Sequence, residues 1–516
     1  MTSNITEPDQ AKLGHGLKAR LFLMKNHDEA YQVWHQAGVR ERICVHLDAH
    51  DDMGWIPEET PTCIANFICQ ALKESLVREV FWVVPDQTWQ SPRHLNPVLL
   101  RLKKIIKSYP GDHGRIKVDP REISTQVLGK PLRVCTLANL PPFTEEVLLD
   151  IDVDYFLLPR AGYRSDSPPR LPWCWPAELV ARLKAGKLRG DLVTIAYSVE
   201  GGYTPLKWKY LGDELALRLQ HPGQGHPGLQ GMEMMRTAAL AACRGELALA
   251  EEKYLAAQEA LPDSAAPPYH LAFLFLEMGR PIPAQESYQR ALALDPSYRT
   301  PYNSAGLWYY SGGEFQKAKL EFRRTLALDP DDPYAHLGLG KVACKERRWP
   351  EAEAWLRKTA ALREDLLDAY RALGEALTAQ GRQSEAIAAY ENSLKLALAG
   401  HKPLGSPIAS YIEDDRLIDP EHFQIFAHLG RLYEEQGDLT KAINHYRLGL
   451  GGGRRGVVLH SCLARLYRKQ HQWQQFAQEM VRAAKMIPID LTRAGRWLYL
   501  GLRRTFRTAY NILTMS

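Results

Sequence analysis

Two short runs of this 516-residue chain combine the residue types that hold cations. "VHLDAHDDM" covers 45–53 and "VLLDIDVDYF" covers 147–156. Asp48, His50 and Asp52 are spaced i, i+2, i+4, and Asp150, Asp152 and Asp154 repeat that spacing. Side chains alternate faces along a strand, so each set points to one side while strand geometry persists. Two such sets at one end of a sheet bring up to five carboxylates together, and these repel strongly unless cations neutralise them. Oxygen-rich ligands with one or two imidazoles suit Mn2+ or a similar divalent ion. A bridging carboxylate from each strand would hold two ions about 3.5 Å apart and activate a shared water. The competing reading is an acidic loop cluster without chemistry.

The elements that must position these residues come from the first part of the chain, to about residue 219. Apolar, β-branched runs at 42–47, 79–84, 115–118, 133–136, 147–150 and 192–198 read as strands. Helical patterns lie between several of them, as in "PTCIANFICQALKESL" and "WPAELVARLKAGK". Strand–helix alternation predicts an open, mostly parallel α/β sheet. Ligands of such sheets bind outside the carboxyl ends of the strands, where both acidic motifs fall.

The segment 220–230, within "QHPGQGHPGLQG", is rich in Gly and Pro and reads as a linker. Its His221 and His226 are a weak metal candidate beside the plainer reading of a flexible joint. Beyond it the period changes. "RTPYNSAGLWYYSGGEFQKAKLEFRRTLALDPDD" from Arg299 and "PYAHLGLGKVACKERRWPEAEAWLRKTAALREDL" from Pro333 match at 34 residues. A small residue recurs at the eighth position (Ala272, Gly306, Gly340, Gly374, Gly430) and Ala at the twentieth (Ala284, Ala318, Ala352, Ala386, Ala442). This is the tetratricopeptide pattern, and it predicts an all-α solenoid of about seven repeats over 231–490, with an insertion near 400–422. The tail 491–516 is basic and reads as a capping helix.

Composition bounds the rest. At 45% hydrophobic and 24% charged the chain is ordinary globular material with room for two domains. A net charge of +5 does not require a nucleic acid or an anionic membrane as partner. Eight cysteines are scattered without a CxxC pair, which speaks against zinc ribbons and disulfide frameworks. With no apolar signal core at the start and no run long enough to span a bilayer, the expectation is a cytoplasmic protein.

"DAHDD" resembles the DAHxD metal motif of the arginase and ureohydrolase superfamily, and "DIDVD" resembles its later DxD motif. The ordered set "HDEAYQVW", "DAHDDM", "IANFI", "FWVVPDQTW" and "SVEGGYTP" is similar to a compact subfamily that includes peptide arginases. These enzymes hydrolyse arginine side chains in peptides to ornithine and urea. The likeness covers roughly 18–215 and implies an arginase-like three-layer α/β domain with a parallel sheet and two Mn2+ ions. It implies that His27, Asp48 and Asp52 bind one ion, and that Asp48 bridges to a second held also by His50. Asp150 would be the second bridge and Asp152 a terminal ligand, with Asp154 able to replace one of them. Glu200 resembles the carboxylate that pairs with the substrate guanidinium.

The chain departs from the family pattern where the free-arginine enzymes carry a histidine proton shuttle. "CIANFICQ" offers Asn66 instead, which hydrogen-bonds but does not titrate. The DP that usually follows DxD is also missing. Two alternatives remain beside the peptide arginase reading: a single-metal deacylase or amidohydrolase of the same architecture, and a non-catalytic repeat scaffold. Candidate groove residues of the repeats are Tyr269, Phe273, Asn303, Tyr310, Lys341 and Arg371. The expected partner is an arginine-containing peptide or protein.

Overall fold

Strands whose residues are apolar in succession, rather than alternately, are those of a sheet covered on both faces. The computed structural model describes residues 9–12, 18–54, 66–108, 115–161, 171–199, 204–221, 226–299, 305–398, 420–450 and 456–485. Among these residues nine strands form one sheet: β1 (Asp9–Lys12), β2 (Lys18–Met24), β3 (Arg42–Leu47), β4 (Val77–Val83), β5 (Lys117–Val118), β6 (Glu122–Val127), β7 (Lys130–Cys135), β8 (Val147–Asp152) and β9 (Gly190–Ala196). Their order is β1-β2-β9-β8-β3-β4-β7-β6-β5. The six from β2 to β7 run parallel. Antiparallel strands close both edges. The sequence reading missed β1, β2 and β6, and it ended β8 two residues early.

Alternation along the central strands separates two cores. Val45, Leu47, Leu149, Ile151, Val193 and Ile195 face one side. Cys44, Val80, Trp82, Leu148, Leu192 and Ala196 face the other. Helices α1 (Glu29–Gln36), α2 (Phe67–Lys73) and α3 (Pro92–Ser108) supply Trp34, Phe67 and Leu102 to the second core. Helices α4 (Pro176–Ala185) and α5 (Tyr210–Gln220) supply Leu179, Leu183, Leu211 and Leu215 to the first.

Seven helix pairs follow among the described residues: α6 (Pro227–Cys243) with α7 (Leu247–Ala260), α8 (Ala266–Glu277) with α9 (Pro281–Leu294), α10 (Ala305–Ser311) with α11 (Phe315–Leu328), α12 (Pro333–Lys345) with α13 (Trp349–Leu362), α14 (Leu367–Ala379) with α15 (Gln383–Leu398), α16 (Pro420–Glu435) with α17 (Leu439–Gly449), and α18 (Gly456–Lys469) with α19 (Trp473–Lys485). Each pair turns through one left-handed residue. Gly245, Gly279, Gly313, Arg347 and Gly381 fall 34 residues apart, and Gly437 and His471 resume the spacing. The small eighth residue has a packing reason. A Cβ on Gly306 would lie 2.6 Å from the ring of Phe322, one on Gly340 would lie 2.7 Å from Leu356, and one on Gly374 would lie 2.8 Å from Tyr390. The groove candidates divide accordingly. Tyr269 is buried among Phe273, Tyr288 and Tyr298 rather than facing a groove. Tyr310, Lys341 and Arg371 are half-buried, and Asn303 lies outside the described residues.

Contacts divide the chain at Gly338/Leu339 rather than at the Gly/Pro segment. Helix α6 already begins at Pro227, inside the span read as linker, with His226 accepting from the Gly228 amide at 3.1 Å. The first sheet core runs on without a break through Met232, Met235, Tyr254, Tyr269 and Tyr288. The first repeats are therefore packed onto the α/β domain, not hinged from it. Of the insertion expected near 400–422, residues 400–419 lie outside the described residues and 420–422 begin α16; the basic tail 491–516 lies outside the described residues. No helix among the described residues is long and apolar enough to cross a membrane.

Candidate metal centre

Parallel pairing fixes which residues meet. His46 of β3 lies opposite Asp150 of β8, and Asp150 lies opposite Thr194 of β9. His27 enters from the turn after β2, whose last residue pairs with Ala196. The period-2 series thus begins one step earlier than the motif: His46, Asp48, His50 and Asp52 succeed one another on one side. Asp51, the odd residue of "DAHDD", turns away and takes Arg101 of α3 at 2.5 and 3.0 Å. Asp52 holds φ at +48°, a left-handed conformation costly for a residue with a Cβ. That strain sits within the cluster, where burial and neighbours over-determine the backbone.

His27, His46, Asp48, Asp150 and Asp154 are fully buried, and Asp152 nearly so. His27 Nδ1 lies 3.2 Å from Asp48 Oδ2, 3.0 Å from Asp52 Oδ2 and 3.2 Å from Asp152 Oδ2. His46 Nε2 stands 3.5 Å from the same Asp48 Oδ2. The other oxygen of Asp48 faces His50, whose Nδ1 is 3.5 Å away and 2.7 Å from Asp154 Oδ2. Asp48 therefore belongs to two convergent groups, one oxygen to each. In each of four groups, His27–His46–Asp150, His27–Asp48–Asp152, His46–Asp48–Asp52 and Asp48–His50–Asp154, the candidate ligand atoms lie within 4.8 Å of one another.

Asp150 lies between the two imidazoles. Its Oδ2 lies 2.9 Å from His27 Nε2 and 2.8 Å from His46 Nδ1, and its Oδ1 accepts from Thr194 Oγ1 at 2.5 Å. Asp150 thus meets both rings through Oδ2 and Thr194 through Oδ1; with His27 and His46 it forms one group able to hold an ion, and Asp152 and Asp154 belong to two others. Ser198 Oγ donates to Asp152 Oδ2 at 2.5 Å, and the Asp154 amide donates to Asp152 Oδ1 at 2.9 Å. Phe67 packs 4.9 Å from His27 and 6.1 Å from His46, ring to ring. Asn66 precedes it, buried at the start of α2 without capping it. Glu200 lies outside the described residues.

Sequence reasoning missed His46, Thr194 and Ser198. His46 was findable, since it shares the parity of Asp48. Ser198 opens "SVEGGYTP", which sequence reasoning read for Glu200 alone, and Thr194 carries no local signal, because only strand pairing brings it to β8.

Electrostatics express the crowding. Burial, then the charges of Asp154, Asp52 and Asp152, push Asp48 up to about 8. Burial and Asp154 also raise Asp152. Asp154 and Asp150 fall below the ordinary range, because His50 in one case and His27 with His46 in the other outweigh their burial. Burial opposes charge on the three rings, yet the facing carboxylates prevail and raise all three.

The donor set fits divalent cations. His27 Nδ1, His46 Nε2 and Asp48 Oδ2 are buried polar atoms without a hydrogen-bond partner, and all three face one another. Such atoms cost about 1–3 kcal/mol each unless something satisfies them. With every carboxylate ionised and the rings neutral, as metal ligands are, the five carboxylates would carry five negative charges and two divalent ions would bring four positive ones.

Tetratricopeptide-repeat family models match residues 303–365, and residues 269–298 with 423–451. These segments are tetratricopeptide repeats, a repeat type that commonly binds proteins or peptides. Similar solved structures include the PilF protein of Pseudomonas aeruginosa, at 16% identity and TM-score 0.25, covering 43% of this chain and 92% of that one. A tetratricopeptide repeat protein from Parabacteroides merdae is 15% identical at TM-score 0.26, covering 55% and 99% respectively. No curated protein matches the chain.

Proposed function

We propose that the α/β domain is a binuclear Mn2+ hydrolase of the arginase type. Its reaction would convert arginine side chains in a peptide or protein to ornithine and urea, and the repeats would bind that substrate or a partner protein. The observation that carries the reading is Asp48, whose two oxygens face two separate ligand groups from the centre of a buried carboxylate cluster. A carboxylate shared in this way is what a two-metal site requires.

On this reading His27, Asp48, Asp52 and Asp152 would hold one ion, and Asp48, His50 and Asp154 would hold the other. Bound ions would lower the pKa of water and polarise the carbon under attack. Asp150 orients the His27 and His46 rings and fixes their tautomers, as outer-shell carboxylates do. His46 stands behind His27 with its Nε2 toward Asp48. Ser198 and the Asp154 amide set the carboxylate of Asp152. Glu200 would pair with the guanidinium through two parallel hydrogen bonds and hold the reacting carbon in line. Asn66 would hydrogen-bond a polar group but not shuttle a proton, so leaving-group protonation belongs to another residue.

The test is mass spectrometry of arginine-containing peptides incubated with the Mn2+-loaded chain. The expected result is the arginine-to-ornithine mass loss with release of urea, abolished by Asp48→Ala and by Glu200→Ala. Bound metal without conversion would keep a hydrolase and move the reading to other C–N bonds. A scaffold without catalysis is the second reading, and the repeat matches favour it; it expects neither metal nor turnover.

A further inference from the structure

Lys209 stands where the first repeats meet the α/β domain. It ends the turn Leu206–Trp208 just before α5. Its Nζ donates to Asp295 Oδ2 at 2.5 Å and to Ser297 Oγ at 2.8 Å, both just past the end of α9. Asp295 is itself fixed, since its Oδ1 accepts from the Ser297 amide at 2.9 Å. The same ammonium lies 5.2 Å from the ring centres of Tyr197 and Tyr298. A cation held over two rings and one carboxylate has little freedom to move.

Tyr197 passes this contact on to the metal centre. Its hydroxyl donates to Asp213 of α5. Its ring lies so close to Gly212 that a Cβ there would approach within 2.7 Å, and the same Cβ would come within 3.2 Å of Val153, which separates Asp152 from Asp154. The Tyr197 amide donates to Met24 O at 2.9 Å, and the Ser198 amide donates to Lys25 O at 3.1 Å. Those bonds hold the end of β2, two residues before His27. Ser198, left-handed at φ +50°, donates to Asp152. The residue under Lys209 thus borders the supports of two proposed metal ligands.

We infer that Lys209 is a positioning residue through which the second repeat, by Asp295 and Ser297, holds Tyr197 and Ser198 and so sets His27 and Asp152. The inference rests on the hydrolase reading above and extends it: the first repeats are part of the catalytic unit as well as a binding surface. Lys209 contacts no reacting group. Its effect is read in metal affinity, where loss of an outer-shell support costs about 10- to 100-fold.

The experiment is Mn2+ titration of the full-length chain by calorimetry, with Lys209→Met, Asp295→Asn and Lys209→Arg beside the wild type. Far-UV circular dichroism and the metal-free melting temperature report folding. Lys209→Met and Asp295→Asn are expected to weaken one of the two sites about tenfold, while Lys209→Arg recovers most of the affinity. As a control, Arg280→Gln, which breaks an exposed Arg280–Glu251 pair within the repeats, should leave both sites unchanged. Wild-type affinity in folded Lys209→Met or Asp295→Asn would overturn the inference and leave the hydrolase reading intact. A wild-type chain that takes up no Mn2+ would remove that reading and the inference together.

Discussion

Asp150 faces His46 across the paired strands β8 and β3, with Asp150 Oδ2 2.8 Å from His46 Nδ1. The same oxygen reaches His27. One carboxylate thus fixes two imidazoles whose other nitrogens turn toward Asp48. Removing it should loosen both rings at once. Asp150→Ala is expected to weaken Mn2+ binding about 10- to 100-fold while leaving some uptake. It should also destabilise the metal-free fold by about 3 kcal/mol, because a buried partner is lost from two rings. Calorimetric titration and thermal melts check both. Asp48→Ala should instead abolish uptake of both ions.

The raised Asp48 makes metal-free stability fall with pH. Its folded pKa of about 8 lies above the ordinary 3.8, so the folded chain keeps a proton that the unfolded chain releases. Stability from that proton is full below about pH 4 and is lost as the pH rises through about 8. His27, His46 and His50 are raised too and act in the same direction above their usual 6.5. Asp150 and Asp154 are lowered, and they matter only as the pH drops below the carboxylate range. The melting temperature of EDTA-treated protein should therefore decline between about pH 6 and pH 8, and Mn2+ should stabilise more at the upper end. A flat or rising metal-free profile would contradict the assignment.

Phe322 fills a slot lined by Gly306 and Gly338. Gly338→Ala would put a methyl group 2.3 Å from its ring, so the helix propensity gained by alanine should be outweighed. The expected net loss is about 1–3 kcal/mol. Equilibrium denaturation of the full-length chain reads this through a lower midpoint with an unchanged slope.

Arg347 occupies the left-handed turn that glycine holds in five of the seven helix pairs, with φ at +59°. Arg347→Gly should stabilise the repeats by roughly 0.5–1 kcal/mol, the left-handed penalty less the entropy of an added glycine. Thermal melting decides the sign.

These residues show what local sequence carries and what it does not. Asp48, His50 and Asp52, like Asp152 and Asp154, announce themselves because period-2 spacing survives past the strand end. His46 obeys the same parity but hides inside an apolar strand, where a histidine reads as core. The role of Asp150 depends on which strands lie beside β8, and that order, with β9 and β3 on either side, is set by non-local pairing. Helix pairs were legible from a 34-residue period because repeats contact mainly their neighbours. The Gly/Pro segment correctly marked a change of period. It did not reveal that α5 and α6 share one core, since a helix break says nothing about how the flanking helices pack.

The central claim is a two-metal site built around Asp48, and elemental analysis of the chain after Mn2+ loading and desalting tests it most directly. The account predicts two ions per wild-type chain and close to none in Asp48→Ala. One ion, or none, in a folded wild-type chain would contradict it.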